Sequence, residues 1–221
     1  MTRMQPITDG EVRVEATADS QMGTNSYLVE DISTGDAVVI DANLEPDAMV
    51  DLVRGRGCTV RAILLTHTDV DHIAGLHQLR EAVGQVPVAV AEPELSTLTA
   101  GTPLREEFGF SLPAEAGVVQ LRNAEPFTAG SLRLGVLSTP GHSPGGVTFV
   151  LGHLLFTGDA LFSGSIGRSD FRNSDSEALL EGIRSQLLSR SDDDMVLPGH
   201  GPATTIGDER RHNPFLQELP R

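Results

Sequence analysis

Hydrophobic residues recur along the chain in short runs rich in Val, Ile and Leu, separated by polar stretches that contain Gly and Pro. Short aliphatic and β-branched runs with such boundaries predict β-strands. The predicted strands are residues 12–18, 26–29, 37–41, 60–66, 86–91, 118–121, 132–138 and 147–152. The sequence DISTGD at 31–36 has the Gly, Ser and Asp content of a hairpin turn.

Three other segments place their apolar residues at helical spacing. The predicted helices are residues 46–55, 73–83 and 175–189. Pro46 suits the first helical position, because the amide hydrogen that it lacks would be unsatisfied there. Ser174 and Glu177 match the capping-box pattern at the start of the last helix. Residues 101–117 show no clear period and predict a loop.

The order of these elements predicts an α/β fold in one domain that spans residues 1–221. Strands alternate with helices, but several strand pairs look like hairpins, so we expect mixed sheets covered by helices. A chain of 221 residues is long enough to bury a sizeable core. No glycine-rich phosphate fingerprint follows an early strand, which argues against nucleotide binding.

Charge and composition narrow the classes of partner. The formal net charge of -15 argues against nucleic acid or an anionic membrane as the main partner, because both repel an acidic surface. Cys58 is the only cysteine, so no internal disulfide is possible. The first residues lack the apolar segment of a secretory signal, and no run of about 18 apolar residues occurs. We therefore expect a cytoplasmic protein.

Candidate chemistry is concentrated in the sequence HTDVDH, directly after the apolar run AILL. It contains His67, Asp69, Asp71 and His72. Imidazole and carboxylate groups are ligands of zinc, iron and manganese, and four of them beside an apolar run are costly to bury without a cation. The alternative for this stretch alone is a solvated loop with an Asp-rich helix N-cap.

Three further segments repeat the same design of an apolar strand, a tight turn and one metal-type ligand. They contain His142 in STPGHSPGG, Asp159 in LLFTGDALF and His200 in MVLPGHGPATTIG. A lone histidine in a loop is usually a solvated side chain, but four such pieces in one chain are hard to attribute to chance. Together they predict a metal site assembled at strand ends.

This set of motifs resembles the metallo-β-lactamase superfamily, in which an H-x-H-x-D-H cluster is followed by a histidine, a bridging aspartate and a last histidine. The segments TNSYLV, FTGDALF with GSIGRSDF, and PGHGPATTIGDERRHNPFL are similar to those of its small glyoxalase II-like (hydroxyacylglutathione hydrolase-like) members. The resemblance runs from about residue 12 to the C-terminus. It implies an αββα four-layer sandwich, with two mixed sheets face to face, helices outside and the metals at one edge.

The resemblance also implies two divalent metal ions, zinc, iron or manganese. The first site would use His67, residue 69 and His142, the second would use Asp71, His72 and His200, and Asp159 would bridge them. A metal-bound hydroxide would attack the carbonyl carbon of a thioester or related ester, on a small molecule or a carrier. Asp159 and Asp71 are the expected catalytic carboxylates, and Asp71 would orient the hydroxide.

One position departs from the family, because residue 69 is usually histidine and this chain has Asp69. The aspartate side chain is shorter than that of histidine. Unless the loop moves inward, Asp69 would therefore bind the metal through a water or leave the first site without one of its ligands. Its hard oxygen also favours iron or manganese over zinc, and the flavodiiron proteins, which have a glutamate here, hold two irons. We expect a binuclear site with a weakened first half. The alternative is a catalytically weak binding protein with a degraded site.

Two further features leave the substrate open. Arg168 in GSIGRSDF suits bidentate capture of a substrate carboxylate, but it equally suits a pairing with Asp170 or a carbonyl that fixes the loop. A similar segment occurs in persulfide dioxygenases of the superfamily, which makes a mononuclear iron enzyme the alternative function. The helical domain that holds glutathione in larger glyoxalase II enzymes is missing from this sequence, so a coenzyme A or acyl-carrier thioester is as open as a glutathione thioester.

Overall fold

The computed structural model describes residues 5–106 and 112–217. Its strands confirm the predicted alternation and add short strands that the hydrophobic pattern alone did not mark. The strands are β1 (Ile7–Asp9), β2 (Val12–Ala18), β3 (Asn25–Asp31), β4 (Asp36–Ile40), β5 (Thr59–Leu64), β6 (Val88–Ala91), β7 (Val118–Leu121), β8 (Phe127–Ala129), β9 (Leu132–Ser138), β10 (Val147–Leu151), β11 (Leu154–Gly158), β12 (Leu161–Phe162), β13 (Ser165–Ile166), β14 (Met195–Pro198) and β15 (Thr204–Thr205).

The helices lie between these strands and after them. They are α1 (Asp47–Arg56), α2 (Val70–Ile73), α3 (Leu76–Val83), α4 (Leu95–Thr99), α5 (Ser176–Gly182) and α6 (Ile206–His212), with 3-10 turns at Glu92–Glu94 and Pro214–Leu216. A π-helical turn, Ile183–Leu187, continues α5. No helix in the described ranges has the length and apolar character needed to cross a membrane.

Two mixed sheets form the centre of the molecule. The first has the order β1-β2-β3-β4-β5-β6-β7, antiparallel up to β4 and parallel from β4 to β7. The second has the order β15-β14-β11-β10-β9-β8, in which only the β11–β14 pair is parallel. Strands β12 and β13 form a separate hairpin.

Alternation along the strands produces the four layers. In β4, Val38 and Ile40 pack between the two sheets, whereas Ala37 and Val39 pack beneath α1 and α3. This is the period of two that a strand covered on both faces requires. A third cluster joins α5 and α6 to the outer face of the second sheet. The predicted αββα sandwich is therefore confirmed.

The carboxyl ends of the parallel pairs β4–β5 and β11–β14 lie at one edge, where the sheets are joined by backbone hydrogen bonds. The Val147 amide, at the start of β10, donates to the Thr66 carbonyl just after β5 over 2.9 Å. The Asn25 amide, at the start of β3, donates to the Gly199 carbonyl just after β14 over 2.7 Å. This edge carries the predicted ligands.

Two predicted helix starts are wrong. Ser174 is not the cap of α5, because its hydroxyl donates to the His142 carbonyl over 2.6 Å, and Asp175 caps the helix by accepting from the Ala178 amide. The predicted helix 73–83 is two helices, and Ile73 ends the first of them. The break lies at Gly75, whose amide donates to the Ala42 carbonyl and where an added Cβ would lie 2.3 Å from the Asn43 carbonyl oxygen.

Smaller differences concern the remaining predictions. The helix predicted at 46–55 is α1, and Pro46 lies at its N-cap, one residue before the first helical position. The hairpin turn at 31–36 is confirmed, with Gly35 at a φ of 75°. Of the loop predicted at 101–117, residues 107–111 lie outside the described residues, and the rest is irregular except for the single 3-10 residue Glu106. Helix α4, immediately before this loop, was not predicted.

Candidate metal centre

All seven predicted ligands meet at the shared edge of the two sheets. They form three groups whose ligand atoms lie within 4.8 Å of one another: His67, Asp69 and His142; His67, His72 and Asp159; and Asp71, His72 and His200. His67 and Asp69 lie on the turn after β5, and the first turn of α2 carries Asp71 and His72. The backbone therefore delivers four ligands within six residues.

Hydrogen bonds orient the three buried imidazoles in the same way. The Nδ1 atoms of His72 and His142 lie 2.9 Å from Asp41 Oδ2 and 2.7 Å from the Arg168 carbonyl. Nδ1 of His67 lies 3.1 Å from Thr66 Oγ1. A neutral imidazole that donates from Nδ1 has its unprotonated Nε2 directed at the centre, which is the tautomer that a metal ligand would require.

The second half of the centre contains Asp71, His72 and His200. Asp71 Oδ2 accepts a hydrogen bond from Thr24 Oγ1 over 2.7 Å and lies 3.5 Å from His72 Nε2 and 3.3 Å from His200 Nε2. His200 is the most exposed of the seven, with 27% of its side chain accessible, so the centre opens to solvent on its side. Each group in this half is therefore held within a few ångströms of the other two.

Strand β3 fixes the loop that carries His200. The Asn25 side-chain amide donates to the Pro198 and Gly201 carbonyls over 3.0 Å each, and Tyr27 Oη donates to the Pro198 carbonyl over 2.6 Å. Both side chains are buried, and Tyr27 also belongs to the core between the sheets. The segment TNSYLV thus positions a ligand far away in the sequence.

Asp159 lies between the two halves. Its Oδ1 is 3.3 Å from His72 Nε2, and its Oδ2 is 3.4 Å from His200 Nε2 and 3.7 Å from His142 Nε2. One carboxylate thus faces imidazoles of both groups, which is the position that a bridging ligand needs.

The first half contains His67, Asp69 and His142, and a neighbour that the sequence did not reveal. Asp69 Oδ2 lies 2.9 Å from His142 Nε2 and 3.8 Å from His67 Nε2. Arg105 Nε donates to Asp69 Oδ1 over 2.8 Å, and Arg105 Nη2 donates to Asp69 Oδ2 over 3.2 Å. Asp69 occupies the N-cap position of α2, but its side chain makes no capping hydrogen bond. The alternative of a simple N-cap is therefore wrong.

Opposite charges control ionisation in the centre. Burial raises the pKa of Asp69, but hydrogen bonds from His142 and Arg105 outweigh burial and lower it to about 2. Burial likewise opposes the charge on His200, yet hydrogen bonds to Asp159 and Asp71 raise its pKa to about 10. In the same way the pKa of His72 is raised, by Asp159 and Asp41, against the effect of burial. The carboxylates therefore favour the protonated forms of His72 and His200, whereas burial lowers the pKa of His67.

The residues present fit divalent metal ions. His67 Nε2, His72 Nε2 and Asp159 Oδ1 are buried and make no hydrogen bond within the described parts of the chain. Such orphaned groups are costly to bury unless a ligand satisfies them. The backbone also leaves room for them, because a Cβ added at Gly199 would lie 2.1 Å from Asp159 Oδ1 and 2.7 Å from His72 Cε1. Imidazole nitrogen and carboxylate oxygen suit zinc, iron or manganese.

Sequence reasoning missed two supporting residues, Asp41 and Arg105. Buried Asp41 follows β4 at a φ of 61° and accepts hydrogen bonds from the Thr66 amide and hydroxyl as well as from His72. A polar residue at the end of the run AVVID was the available signal. Arg105 lies in the segment without a clear period, and nothing in its sequence context indicated burial.

Arg168 is placed beside the centre but is directed away from the ligands. Its guanidinium pairs with Asp170, with Nε–Oδ1 and Nη2–Oδ2 distances of 3.0 and 3.1 Å, and 67% of the side chain is exposed. It also stacks on the ring of Phe171, 4.4 Å from the centroid. The observed pairing is the loop-fixing alternative, and the Arg168 carbonyl is what orients His142.

Known proteins are similar to this chain in sequence and in fold. The model of the metallo-beta-lactamase superfamily matches residues 20–200. The hydroxyacylglutathione hydrolase GloC of Haemophilus influenzae is 33% identical over 196 residues, which cover 81% of this chain and 87% of that protein. Membership of this superfamily and its hydrolase relatives support metal-dependent hydrolysis as the class of activity.

Two solved structures are similar over most of the chain. TTHA1623, solved in a di-iron-bound form, is 36% identical with a TM-score of 0.79, covering 91% of this chain and 99% of that one. ETHE1 from Myxococcus xanthus is 31% identical with a TM-score of 0.75, covering 91% of this chain and 83% of that one. With two mixed sheets, flanking helices and a cluster of His and Asp side chains at the shared edge, the chain belongs to the metallo-beta-lactamase superfamily.

Proposed function

We propose that this protein holds two divalent metal ions and hydrolyses a thioester. The observation that carries the proposal is the convergence of four imidazoles and three carboxylates, in which buried Nε2 atoms of His67 and His72 face the centre without a hydrogen-bond partner in the described chain. Similarity to a hydroxyacylglutathione hydrolase supports the thioester as substrate class.

The ions would be divided between the two halves. His67, Asp69 and His142 would hold the first ion, Asp71, His72 and His200 would hold the second, and Asp159 would contact both. Divalent ions in such a pair supply a strong nucleophile from water at neutral pH and stabilise the negative charge that develops on a carbonyl oxygen.

The proposed catalytic carboxylates are Asp71 and Asp159. Burial opposes ionisation of Asp71, but hydrogen bonds from His200 and Thr24 and the charge of His72 lower its pKa well below the usual range. Asp71 therefore stays ionised at neutral pH and can orient the attacking water by accepting its hydrogen bond. The Thr24 hydroxyl, which donates to Asp71 Oδ2, fixes the direction of that carboxylate.

A thioester suits this centre because its leaving group needs little help. A thiol has a pKa of about 8.5, so a thiolate can depart without a dedicated acid. The exposed side of the centre, beside His200, is the route by which an acyl group would enter. Arg168 is a candidate for holding a substrate carboxylate, and this would require it to leave Asp170.

Turnover of defined thioesters tests the proposal. Protein purified without chelators would be assayed with a hydroxyacylglutathione, an acyl-coenzyme A and an acyl-carrier-protein thioester, before and after chelation and reloading with zinc, iron or manganese. We expect hydrolysis of at least one thioester, lost on chelation and restored by metal. Absence of thioester hydrolysis by protein with two bound ions would contradict the proposal.

A second candidate function is iron-dependent oxidation of a persulfide. His67, His142 and Asp159 offer two histidines and one carboxylate, the donor set of mononuclear iron oxygenases, and this set does not depend on residue 69. The similarity to ETHE1 is compatible with this alternative. One iron per chain with oxygen uptake on a glutathione persulfide, and no thioester turnover, would favour it. The same preparations would therefore be placed in an oxygen electrode.

A further inference from the structure

The residue that departs from the family pattern is held by a buried arginine. Arg105 is 3% exposed and Asp69 is 8% exposed, and the two make two hydrogen bonds in the side-on geometry of a carboxylate–guanidinium pair. No other arginine in the described chain pairs with a carboxylate of the centre, because the ion-pair partners of Asp71 and Asp159 there are imidazoles.

Arg105 offsets the negative charge that Asp69 adds to the centre. With histidine at position 69, the ligands of the two ions would include two carboxylates, Asp71 and Asp159. Asp69 adds a third negative charge to a buried site, and Arg105 adds one positive charge within hydrogen-bond distance of it. The pair is neutral, as a histidine would be, so the centre keeps the net charge of the histidine pattern.

The two carboxylate oxygens of Asp69 have different neighbours. The shorter hydrogen bond from Arg105 ends on Asp69 Oδ1, and the other carboxylate oxygen, Oδ2, is the one that lies near His142 and His67. The arginine thus holds both oxygens, Oδ1 more closely than Oδ2, and leaves Oδ2 in the same space as the two Nε2 atoms. Because Arg105 fixes the carboxylate of Asp69, this short side chain already faces the space between the imidazoles and needs no change of rotamer to reach a metal there.

Arg105 is itself fixed on several sides. Nη1 hydrogen-bonds Asn173 Oδ1, Nη2 donates to the His142 carbonyl over 2.8 Å, and the guanidinium lies 4.2 Å from the centroid of the Phe171 ring. A buried guanidinium needs such partners, because an unpaired buried charge is strongly destabilising. The loop after α4 therefore places one buried cation beside Asp69.

We propose that Asp69 and Arg105 act as one unit that replaces the family's histidine in the first metal site, with Arg105 as the positioning residue and Asp69 as the ligand. This inference rests on the proposed metal centre but not on the thioester substrate. Its readout is the number and affinity of bound ions, so failure to find a substrate leaves it untouched.

A four-protein cycle tests the unit: wild type, Arg105→Met, Asp69→His and the double variant, each stripped of metal and titrated with Zn²⁺ against a chromophoric chelator. With Asp69 present, Arg105→Met is expected to weaken the first site by roughly 10–100-fold, as the loss of an orienting partner typically does. With histidine at 69 the same change should tighten the first site, because it removes an unpaired buried cation. If Asp69 and Arg105 act as one unit, Arg105→Met should therefore change the first-site affinity in opposite directions in the two backgrounds.

Two further variants control for folding. Arg80→Met removes another buried arginine, which pairs with Glu115 away from the centre, so it should lower the unfolding temperature and leave both metal sites unchanged. Arg105→Lys keeps the charge but loses the two-point contact, so its first-site affinity should lie between wild type and Arg105→Met. Far-UV circular dichroism of the metal-free proteins checks that each variant is folded.

Two outcomes would overturn the inference. If Arg105→Met weakens the first site equally with aspartate and with histidine at 69, Arg105 acts through the His142 carbonyl and not through Asp69. If Arg105→Met tightens the first site of the otherwise native protein, the arginine is withholding Asp69 from the metal. In either case the pair is not a substitute for the histidine.

Discussion

The two halves of the metal centre are supported by different kinds of structure. In the second half, His72 is held by Asp41 and Asp71 by Thr24, and both partners lie at the ends of strands of the first sheet. In the first half, Asp69 is held by Arg105, which lies in an irregular loop after α4. His72 and Asp71 of the second half are therefore supported by the first sheet, whereas the changed ligand of the first half, Asp69, is supported by a loop.

This difference indicates where the proposed binuclear centre would tolerate a changed ligand. A ligand supported by the sheet cannot change without disturbing strands that also build the core. A ligand that faces a loop can change if the loop supplies a compensating group. Substitutions in each half should distinguish the two halves experimentally, and a substitution of the carboxylate between them should affect both.

Asp159→Ala should have the largest effect, because this carboxylate faces imidazoles of both halves. We expect loss of at least one ion and a fall in kcat/KM of about 1,000-fold, equivalent to about 4 kcal/mol. Metal analysis by mass spectrometry and steady-state kinetics check this. Retention of two ions with normal affinities would contradict the bridging position.

Asp41→Asn should weaken the second half more than the first, because Asp41 bonds His72 directly and reaches His67 only through Thr66. The substitution removes the carboxylate that fixes the His72 tautomer, and such a loss typically costs roughly 10–100-fold in metal affinity. Asp194→Asn is the matched control, since Asp194 is also buried and accepts from a histidine, His153, far from the centre. Equal losses in the two variants, or a loss confined to the first site, would remove the distinction between the halves.

The pH dependence of the metal-free protein should be opposite to that of metal binding. Hydrogen bonds to Asp159 and Asp71 outweigh burial and raise the His200 pKa from 6.5 to about 10, so its contribution to stability is complete below pH 6.5 and is lost as pH rises through 10. The unfolding temperature of chelated protein should therefore fall between those values. Metal affinity should rise over the same range, by about tenfold per pH unit for each proton displaced.

Calorimetry of metal binding in buffers of different ionisation enthalpy measures the displaced protons directly. We expect net proton release at pH 7.5, because the pKa values of His72, His142 and His200 are all raised in the metal-free protein. Binding without proton release would show that these imidazoles are already neutral.

Arg168→Ala should have the smallest effect. The side chain is exposed, and its contacts with Asp170 and the Phe171 ring lie within its own loop, so metal content and unfolding temperature should stay unchanged. If Arg168 holds a substrate carboxylate, KM for carboxylate-bearing thioesters should rise by no more than about tenfold with kcat unchanged. A change in metal stoichiometry would assign it a role in the centre through the carbonyl that orients His142.

Much of the fold and most of the candidate ligands were predictable from the sequence, for reasons visible in particular residues. Strands such as β2 and β9 are marked by their apolar runs, and His67 and Asp159 follow such runs directly. Short strands such as β12 and β15 hold two residues each, too few for any pattern to register. The predicted capping box was wrong because the Ser174 hydroxyl donates to the distant His142 carbonyl and does not cap its own helix.

Arg105 was not predictable because its partner, Asp69, lies 36 residues away in the sequence and the segment between them sets no period. The pattern identified Asp69 as the unusual position and anticipated a weakened first site. A charged residue in an irregular loop looks solvated until tertiary structure buries it. Compensation for a changed ligand is thus a property of the folded centre and not of any local motif.

The central claim, a binuclear centre whose halves are separately supported, is tested most directly by titrating chelator-stripped wild-type protein with Zn²⁺ while following bound metal. We expect two ions per chain, with Arg105→Met weakening one site and Asp41→Asn weakening mainly the other. Binding of a single ion, or of two ions whose sites respond identically to both substitutions, would contradict it.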